Sequence, residues 1–206
     1  MRIAIIGGTG PFGRALAARL HDSGHEIVLG SRDAHRAAAA ALELQCVGEA
    51  NSDACAGADF VILAVNADAV LETARQLRGA IGSSPVLSVA SQLRFTKVGV
   101  LPAPDARSLA EQLQDELDAP VLAGLHSLAA ASLAGEKPPD EDAFVCGDDT
   151  AAKEIALELA EKLVSGRALD AGPLASARAL EGMTAVIVNM NRRYKAHAGL
   201  RVTGVD

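Results

Sequence analysis

The 206-residue sequence predicts an α/β protein, built as a doubly wound parallel sheet with a small C-terminal α/β extension that ends in a long helix. Short apolar runs that suit buried strands alternate with longer stretches of helical periodicity along most of the chain. Half of the residues are hydrophobic but only 2% are aromatic, so Ala, Val, Ile and Leu must build the core. A glycine-rich turn joins the first strand to the first helix. Together these features favour helices packed on a parallel sheet.

The first strand, residues 3–6, runs into the spacing Gly8-x-Gly10-x-x-Gly13 and then into a helix over residues 11–21. Gly8 allows a tight turn, Gly10 leaves room for a pyrophosphate, and Gly13 lets the helix pack close to the strand. The N–H groups at the start of this helix would face the phosphates. A second strand at residues 26–30 completes the βαβ unit. The motif therefore predicts a Rossmann-type dinucleotide site, the alternative being an ordinary glycine-rich turn.

The end of the second strand carries Ser31 and Arg32, with Arg36 one helical turn later. Sites specific for NAD usually place a carboxylate here, which binds the ribose 2′-hydroxyl. A hydroxyl and two guanidinium groups would instead bind a 2′-phosphate, and each charge-assisted hydrogen bond contributes about 1.5–3 kcal/mol. We therefore expect NADP(H) as the dinucleotide. The alternative is that both arginines belong to a solvated start of the next helix.

The remaining elements follow in alternating order along the chain. Predicted helices cover residues 33–44, 68–77, 107–117, 151–164 and 173–194, with shorter connecting segments at 51–57 and 127–134. Predicted strands cover residues 45–48, 59–65, 85–89, 121–126, 144–149 and 167–172. Residues 92–106 and 135–142 contain prolines and are expected to form irregular loops, the second of them at the surface. We divide the chain into a dinucleotide-binding domain, residues 1–142, and an extension, residues 143–206, that completes the site and the dimer interface.

Candidate site residues stand where the predicted strands end, because ligands bind beyond the carboxyl ends of strands in an open parallel sheet. Val65 and Asn66 end one such strand, Ser88 ends the next, and His126 ends a third. His126 is either a hydrogen-bonded core residue or an orienting group beside the bound ligands. No pairing of a nucleophile with a base is evident, so no catalytic residue is obligatory.

Composition excludes several other classes of function. The net charge of −7 and the lack of a basic run argue against nucleic-acid binding. Cys46, Cys55 and Cys146 lack the spacing of metal ligands, which indicates a reducing cytoplasm and no metal site. The first strand begins at the start of the chain and no apolar stretch reaches eighteen residues, so neither a signal peptide nor a membrane span is expected.

Several segments of the chain resemble the NADPH-dependent coenzyme F420 reductases, also called F420:NADP oxidoreductases. The resemblance is carried by Gly7-Gly8-Thr9-Gly10 with Gly13, by residues 25–32, 73–77 and 125–126, and most distinctively by Cys146-Gly147-Asp148-Asp149 and Leu169-Asp170-Ala171-Gly172-Pro173-Leu174. It implies hydride exchange between NADP(H) and the deazaflavin of coenzyme F420 in a homodimer. Both partners carry the chemistry and the protein orients them.

The same resemblance implies roles for individual residues. Thr9, Phe12, Ser31, Arg32 and Arg36 would hold NADP(H), and residues around Asn66, Ser88 and His126 would line the contact between nicotinamide and deazaflavin. The chain departs from the family pattern at Ala67, Val89 and Ala129, all beside the expected deazaflavin pocket. Two alternatives therefore stay open, namely an NADP(H)-dependent reductase of a flavin or of a small carbonyl or imine, and a non-catalytic NADP(H)-binding redox sensor.

Overall fold

The computed structural model describes residues 1–205, which form ten strands and eight α-helices. The strands are β1 (Arg2–Ile6), β2 (Glu26–Ser31), β3 (Val47–Ala50), β4 (Phe60–Leu63), β5 (Val86–Ser88), β6 (Leu93–Thr96), β7 (Gly99–Pro102), β8 (Val121–Gly124), β9 (Ala143–Gly147) and β10 (Ala168–Asp170). The helices are α1 (Pro11–Asp22), α2 (Ala34–Leu44), α3 (Asn51–Cys55), α4 (Val70–Ile81), α5 (Leu109–Glu116), α6 (Ala130–Leu133), α7 (Thr150–Glu161) and α8 (Ala177–Tyr194).

Eight strands form one sheet in the order β10-β9-β8-β5-β4-β1-β2-β3. Six neighbouring strands of this sheet, in the spatial order β8-β5-β4-β1-β2-β3, are parallel. They have the order of a Rossmann fold, with β1 at the centre. β9 pairs antiparallel with β8, and β10 pairs parallel with β9, so the extension continues the same sheet. The predicted fold class is confirmed, with one antiparallel junction that the sequence did not reveal.

The core lies on both faces of this sheet because successive strand residues point to opposite sides. Ile3 and Ile5 of β1 face a cluster that includes α1, α2, α6 and α7. Ala4 and Ile6 face a second cluster that includes α3, α4, α5 and α8. These four side chains of β1 are completely buried, and burial of each large aliphatic one contributes about 1.5–3 kcal/mol.

Residues 92–106 are more ordered than the irregular loop expected from the sequence. β6 and β7 form an antiparallel hairpin that packs on α8. The side chain of Asn189 holds this hairpin, since its Oδ1 accepts from the Val100 N–H at 2.9 Å and its Nδ2 donates to the Val100 carbonyl at 2.7 Å. Pro102 is tolerated at the end of β7, where it packs over Gly182. The loop prediction is therefore wrong for residues 93–102.

Two other expectations also need correction. The segment 135–142 does not end at the surface, because the Asp142 carboxylate is completely buried and accepts hydrogen bonds from Arg167 and from the Val202 N–H. β8 ends at Gly124 and does not extend to residue 126, since Leu125 takes a left-handed conformation with φ of +64°. Within residues 1–205, no helix combines the length and apolarity needed to cross a membrane.

Candidate active site

Two neighbouring cavities open beyond the carboxyl ends of the parallel strands. The first has a volume of about 400 Å³ and the second about 300 Å³. Ala64, Val65 and Asn66, which follow β4, line both cavities. The two cavities are thus compartments of one cleft, and a ligand in the first can touch a ligand in the second across the end of β4.

The turn between β1 and α1 forms one wall of the first cavity. Its left-handed residue is Gly7, with φ of +85°, and a Cβ there would lie 2.5 Å from the Ala64 carbonyl oxygen. Gly13 is required for close approach, because its Cβ would lie 2.7 Å from the Gly7 carbonyl oxygen. In the described part of the chain, no side chain caps the start of α1. The first-turn N–H groups therefore face the cleft, and such groups together with the helix dipole attract anions.

The far end of the first cavity is lined by Ser31, Arg32 and Arg36. Within the described residues, neither guanidinium forms an ion pair, whereas Arg14, Arg75 and several other arginines do. The Ser31 Oγ accepts from the Asp33 N–H at 3.2 Å, so the Ser31 O–H remains able to donate. This end of the cleft presents one hydroxyl donor and two exposed cations, as a phosphate monoester requires.

Asp33 also lines the first cavity, but α2 engages its carboxylate. The Asp33 Oδ1 accepts from the His35 N–H at 2.9 Å and from the Arg36 N–H at 3.3 Å. Asp33 is therefore the N-cap of α2. Its position differs from that of the ribose-binding carboxylate of NAD sites, which ends the second strand.

The cleft brings together most of the residues that the sequence singled out. The first cavity is lined by Thr9, Gly10, Ser31, Arg32, Arg36, Val65 and Asn66, and the second by Phe12, Val65, Asn66 and His126. Gly8 and Gly13 are buried behind the turn. Ser88 lines neither cavity, because its side chain is completely buried within β5 and its Oγ has no partner among residues 1–205. The next three residues, Val89, Ala90 and Ser91, reach the second cavity instead.

Among residues 1–205, no charged side chain lines the second cavity. Its apolar lining consists of Phe12, Val65, Ala67, Val89, Leu93, Leu125 and Leu128, with alanines between them. Its polar groups are the side chains of Asn66, Ser91, His126 and Thr184. A mostly apolar compartment with a few polar groups suits a neutral planar ring better than a phosphate or a sugar.

His126 is 6% exposed and neutral at physiological pH. Burial lowers the pKa of its imidazole to about 4. The ring Nε2 lies 3.3 Å from the Ala90 carbonyl oxygen, which can only accept, so Nε2 carries the proton. The left-handed Leu125 before it turns the chain out of β8. Because His126 is uncharged and its one proton is engaged, it cannot act as a strong acid at about pH 7.

Ser91 and Thr184 connect the second cavity to α8. Their hydroxyl oxygens are 2.7 Å apart, and the Thr184 hydroxyl donates to the His126 carbonyl oxygen at 2.9 Å. Thr184 therefore contacts both the Ser91 side chain and the backbone of His126.

Comparison with known proteins places the chain in a family. Residues 2–92 match the family described as NADP oxidoreductase, coenzyme F420-dependent. The chain is 33% identical to the F420-dependent NADP reductase of Methanocaldococcus jannaschii, over the whole of both chains. It is also 33% identical to the enzyme of that name from Methanothermobacter thermautotrophicus, over all of this chain and 96% of that one. The chain belongs to the coenzyme F420-dependent NADP oxidoreductase family.

Solved structures agree with this membership. A crystal structure from Arthrobacter sp. FB24, named as a candidate F420-dependent NADP-reductase, superposes with a TM-score of 0.87 at 26% identity. That match covers 98% of this chain and 99% of the other. A pyrroline-5-carboxylate reductase from Coxiella burnetii has a TM-score of 0.67 at 12% identity, which indicates a common fold alone.

Sequence reasoning missed several lining residues of this family member. Asn51 and Thr73 line the first cavity, and Thr184 lines the second. Thr184 is the least predictable, because it stands within α8, far along the chain from every glycine motif. Only the packing of α8 beside β8 brings it to the cleft.

Other reactive groups lie away from the cleft. Burial raises the pKa of the Cys55 and Cys146 thiols to about 12, so neither is a nucleophile at neutral pH. Across residues 1–205, no cluster of three or more His, Cys, Asp or Glu side chains could hold a metal ion.

Proposed function

We propose that the protein transfers a hydride between NADP(H) and the deazaflavin of coenzyme F420. The observation that carries the proposal is the two-part cleft, in which a compartment with free cationic groups adjoins an uncharged compartment across Val65 and Asn66. Membership of the coenzyme F420-dependent family names the two reactants. The alternatives, a flavin or a small imine or ketone as acceptor, would use the same first compartment.

NADP(H) would occupy the first compartment. The pyrophosphate would lie at the start of α1, over Thr9 and Gly10, and the 2′-phosphate would bind Ser31, Arg32 and Arg36. The nicotinamide would then reach Val65 and Asn66 at the boundary between the compartments. Phe12 and His126 would lie on the far side of that boundary, against the deazaflavin.

The protein would act by orientation. NADPH supplies the hydride, and one solvent proton completes reduction of the acceptor. The protein holds both rings in contact and excludes water with the apolar lining of the second compartment. His126 stays neutral and packs beside the rings. No protein acid or base is needed, because the reacting carbon atoms belong to the two bound molecules.

The charged tail of coenzyme F420 would lie outside the second compartment. Leu93 lines the compartment and the next residue, Arg94, is exposed, as is Lys97 at the tip of the hairpin. These two cations would meet the phosphate and carboxylates of the tail. The uncharged ring and the anionic tail thus have separate surroundings.

A homodimer formed through α8 and the β6–β7 hairpin is part of the proposal. Val186 is 56% exposed, Phe95 67% and Tyr194 73%, and Arg192 lies over the Phe95 ring at 5.5 Å. Residues 143–206 would thus serve both the site, through Thr184, and the interface. Val186→Glu should convert dimer to monomer in light scattering, while Leu42→Glu, on exposed α2, should remain dimeric. A monomeric wild type would refute this interface.

The protein is also proposed to act in the cytoplasm. Cys46, Cys55 and Cys146 are free thiols, as a reducing compartment maintains them. Fractionation of cells that express the protein at its natural level tests this. Recovery in an oxidising compartment would contradict it.

An absorbance assay tests the reaction itself. NADPH and coenzyme F420 are mixed with the protein, and the deazaflavin absorbance should fall at a rate proportional to protein concentration. NADH should be a much poorer donor. Binding of NADPH without any loss of deazaflavin absorbance would remove coenzyme F420 as the acceptor. If only a flavin loses absorbance in the same assay, a flavin is favoured as the acceptor.

A further inference from the structure

The hydroxyl pair of Ser91 and Thr184 joins two distant parts of the chain at the wall of the second cavity. Ser91 follows β5, whereas Thr184 lies in the middle of α8. Both residues are partly buried and both line the cavity. Their 2.7 Å separation is that of a good hydrogen bond between hydroxyl groups.

The direction of this hydrogen bond follows from counting protons. Each hydroxyl has one proton to donate. The Thr184 proton is directed to the His126 carbonyl oxygen at 2.9 Å, and that carbonyl has no other donor among residues 1–205. Ser91 must therefore donate to Thr184. After that, the Ser91 Oγ retains a lone pair and has no proton left for a ligand.

The neighbouring histidine reinforces this acceptor character. His126 Nε2 directs its proton to the Ala90 carbonyl oxygen at 3.3 Å. Its Nδ1 is buried and has no partner among the described residues, so it offers no proton either. This side of the cavity therefore presents an acceptor to a ligand and no side-chain donor.

We propose that Ser91 selects hydride acceptors whose ring carries an N–H, because its Oγ accepts a hydrogen bond from that group. Thr184 is a positioning residue that accepts a hydrogen bond from the Ser91 hydroxyl and so leaves the Ser91 Oγ free to act only as an acceptor. The proposal rests on the proposed function, since the acceptor ring must occupy this cavity. Flavin and deazaflavin rings carry one such N–H between two carbonyl groups, and methylation of that nitrogen removes it.

The test compares binding of a deazaflavin with binding of its N-methylated form, with the protein saturated with NADP⁺. Ring fluorescence gives both dissociation constants. The wild type should bind the N–H ring more tightly. Ser91→Ala should weaken binding of the N–H ring by about 3- to 10-fold, as expected for one lost hydrogen bond, and leave the N-methyl ring unweakened.

Two Thr184 variants separate positioning from packing. Thr184→Val keeps the shape but cannot accept the Ser91 proton, so the preference for the N–H ring should fall, with a higher KM for the acceptor and an unchanged KM for NADPH. Thr184→Ser keeps the hydroxyl and should keep the preference. A purely structural pair would instead lower kcat or stability without changing the preference.

The outcomes distinguish this inference from the proposed function. Equal binding of both rings by the wild type, or an unchanged preference in Ser91→Ala, overturns the role of Ser91. If hydride transfer to the deazaflavin is nevertheless observed, the proposed function stands without it. Conversely, the protein could prefer the N–H ring through Ser91 and yet transfer no hydride. That result would support the role of Ser91 in ring binding and refute the proposed hydride transfer.

Discussion

The Nε2 of His126 lies 3.3 Å from the carbonyl oxygen of Ala90, and this contact fixes the imidazole at the wall of the second cavity. Burial lowers the pKa of His126 to about 4, so the ring gains no charge until the solution is far more acidic than the cell. We therefore propose that His126 is an orienting group, with its proton directed to the Ala90 carbonyl oxygen.

His126→Ala should therefore lower kcat by less than the roughly 10²-fold that marks the weakest general acid–base residues. The dependence of kcat on pH should have the same shape in the wild type and the variant between about pH 5.5 and 8, because in neither protein does residue 126 titrate in that range. Steady-state kinetics across pH measure both. A much larger loss, or an inflection that vanishes with the histidine, would indicate proton transfer by His126.

Arg32→Ala should weaken NADPH binding about 10-fold or more while NADH binding changes little, since only NADPH has a 2′-phosphate. Titration followed by nicotinamide fluorescence or by calorimetry gives both dissociation constants. Arg78→Ala is the matched control, because Arg78 is exposed and pairs with Asp118, outside both cavities. Equal losses for the two dinucleotides would refute the 2′-phosphate site.

Glu141→Gln should stabilise the protein at alkaline pH and have little effect in acid. Glu141 is 3% exposed, its Oε2 has no partner among residues 1–205, and burial raises the pKa to about 7. A group with a raised folded-state pKa contributes stability that is complete below its unfolded pKa and is lost as pH rises through the folded value. Wild-type stability should therefore fall relative to the variant between about pH 4.5 and 7.

Denaturant unfolding at several pH values measures this difference, which should reach about 1–2 kcal/mol at about pH 8. The exposed Glu161, on α7, provides the control, and Glu161→Gln should show no such trend. A difference that stays constant with pH would mean that Glu141 has the same pKa in the folded and unfolded states.

Asn189→Ala should release the β6–β7 hairpin from α8. The change removes both hydrogen bonds to Val100, so the Val100 amide should exchange with solvent about 10-fold faster or more. Asn191→Ala serves as a control, because the Asn191 side chain accepts a hydrogen bond from the Ala198 N–H and forms no hydrogen bond to Val100. Unchanged exchange at Val100 would show that other contacts hold the hairpin.

The sequence predicts those features whose determining residues lie close together in the chain, and not those that depend on contacts between distant residues. The β1–α1 turn, Ser31 and Arg36 could be predicted because glycine spacing and charge at a strand end are local patterns. The hairpin could not, because its turn at Lys97 and Val98 lacks the usual glycine or asparagine and its support comes from Asn189, in α8. Burial of Asp142 likewise depends on Arg167, which is distant in sequence.

The second compartment was harder to predict from the sequence than the first, because its contacts join distant parts of the chain. His126 could be singled out at a strand end, but its contacts with Ala90 and Thr184 come from two other elements. The antiparallel pairing of β9 with β8 brings the extension to this side of the sheet. No local pattern in α8 indicates that Thr184 reaches the cleft.

Transfer of an isotopic label tests the central claim most directly. NADPH with both hydrogens of the reactive nicotinamide carbon replaced by deuterium is incubated with the protein and coenzyme F420, and the reduced deazaflavin is analysed by mass spectrometry. Direct hydride transfer predicts one carbon-bound deuterium in the product, retained in ordinary water. A product without carbon-bound deuterium, or no reduced deazaflavin while NADPH still binds, would contradict hydride transfer within this cleft.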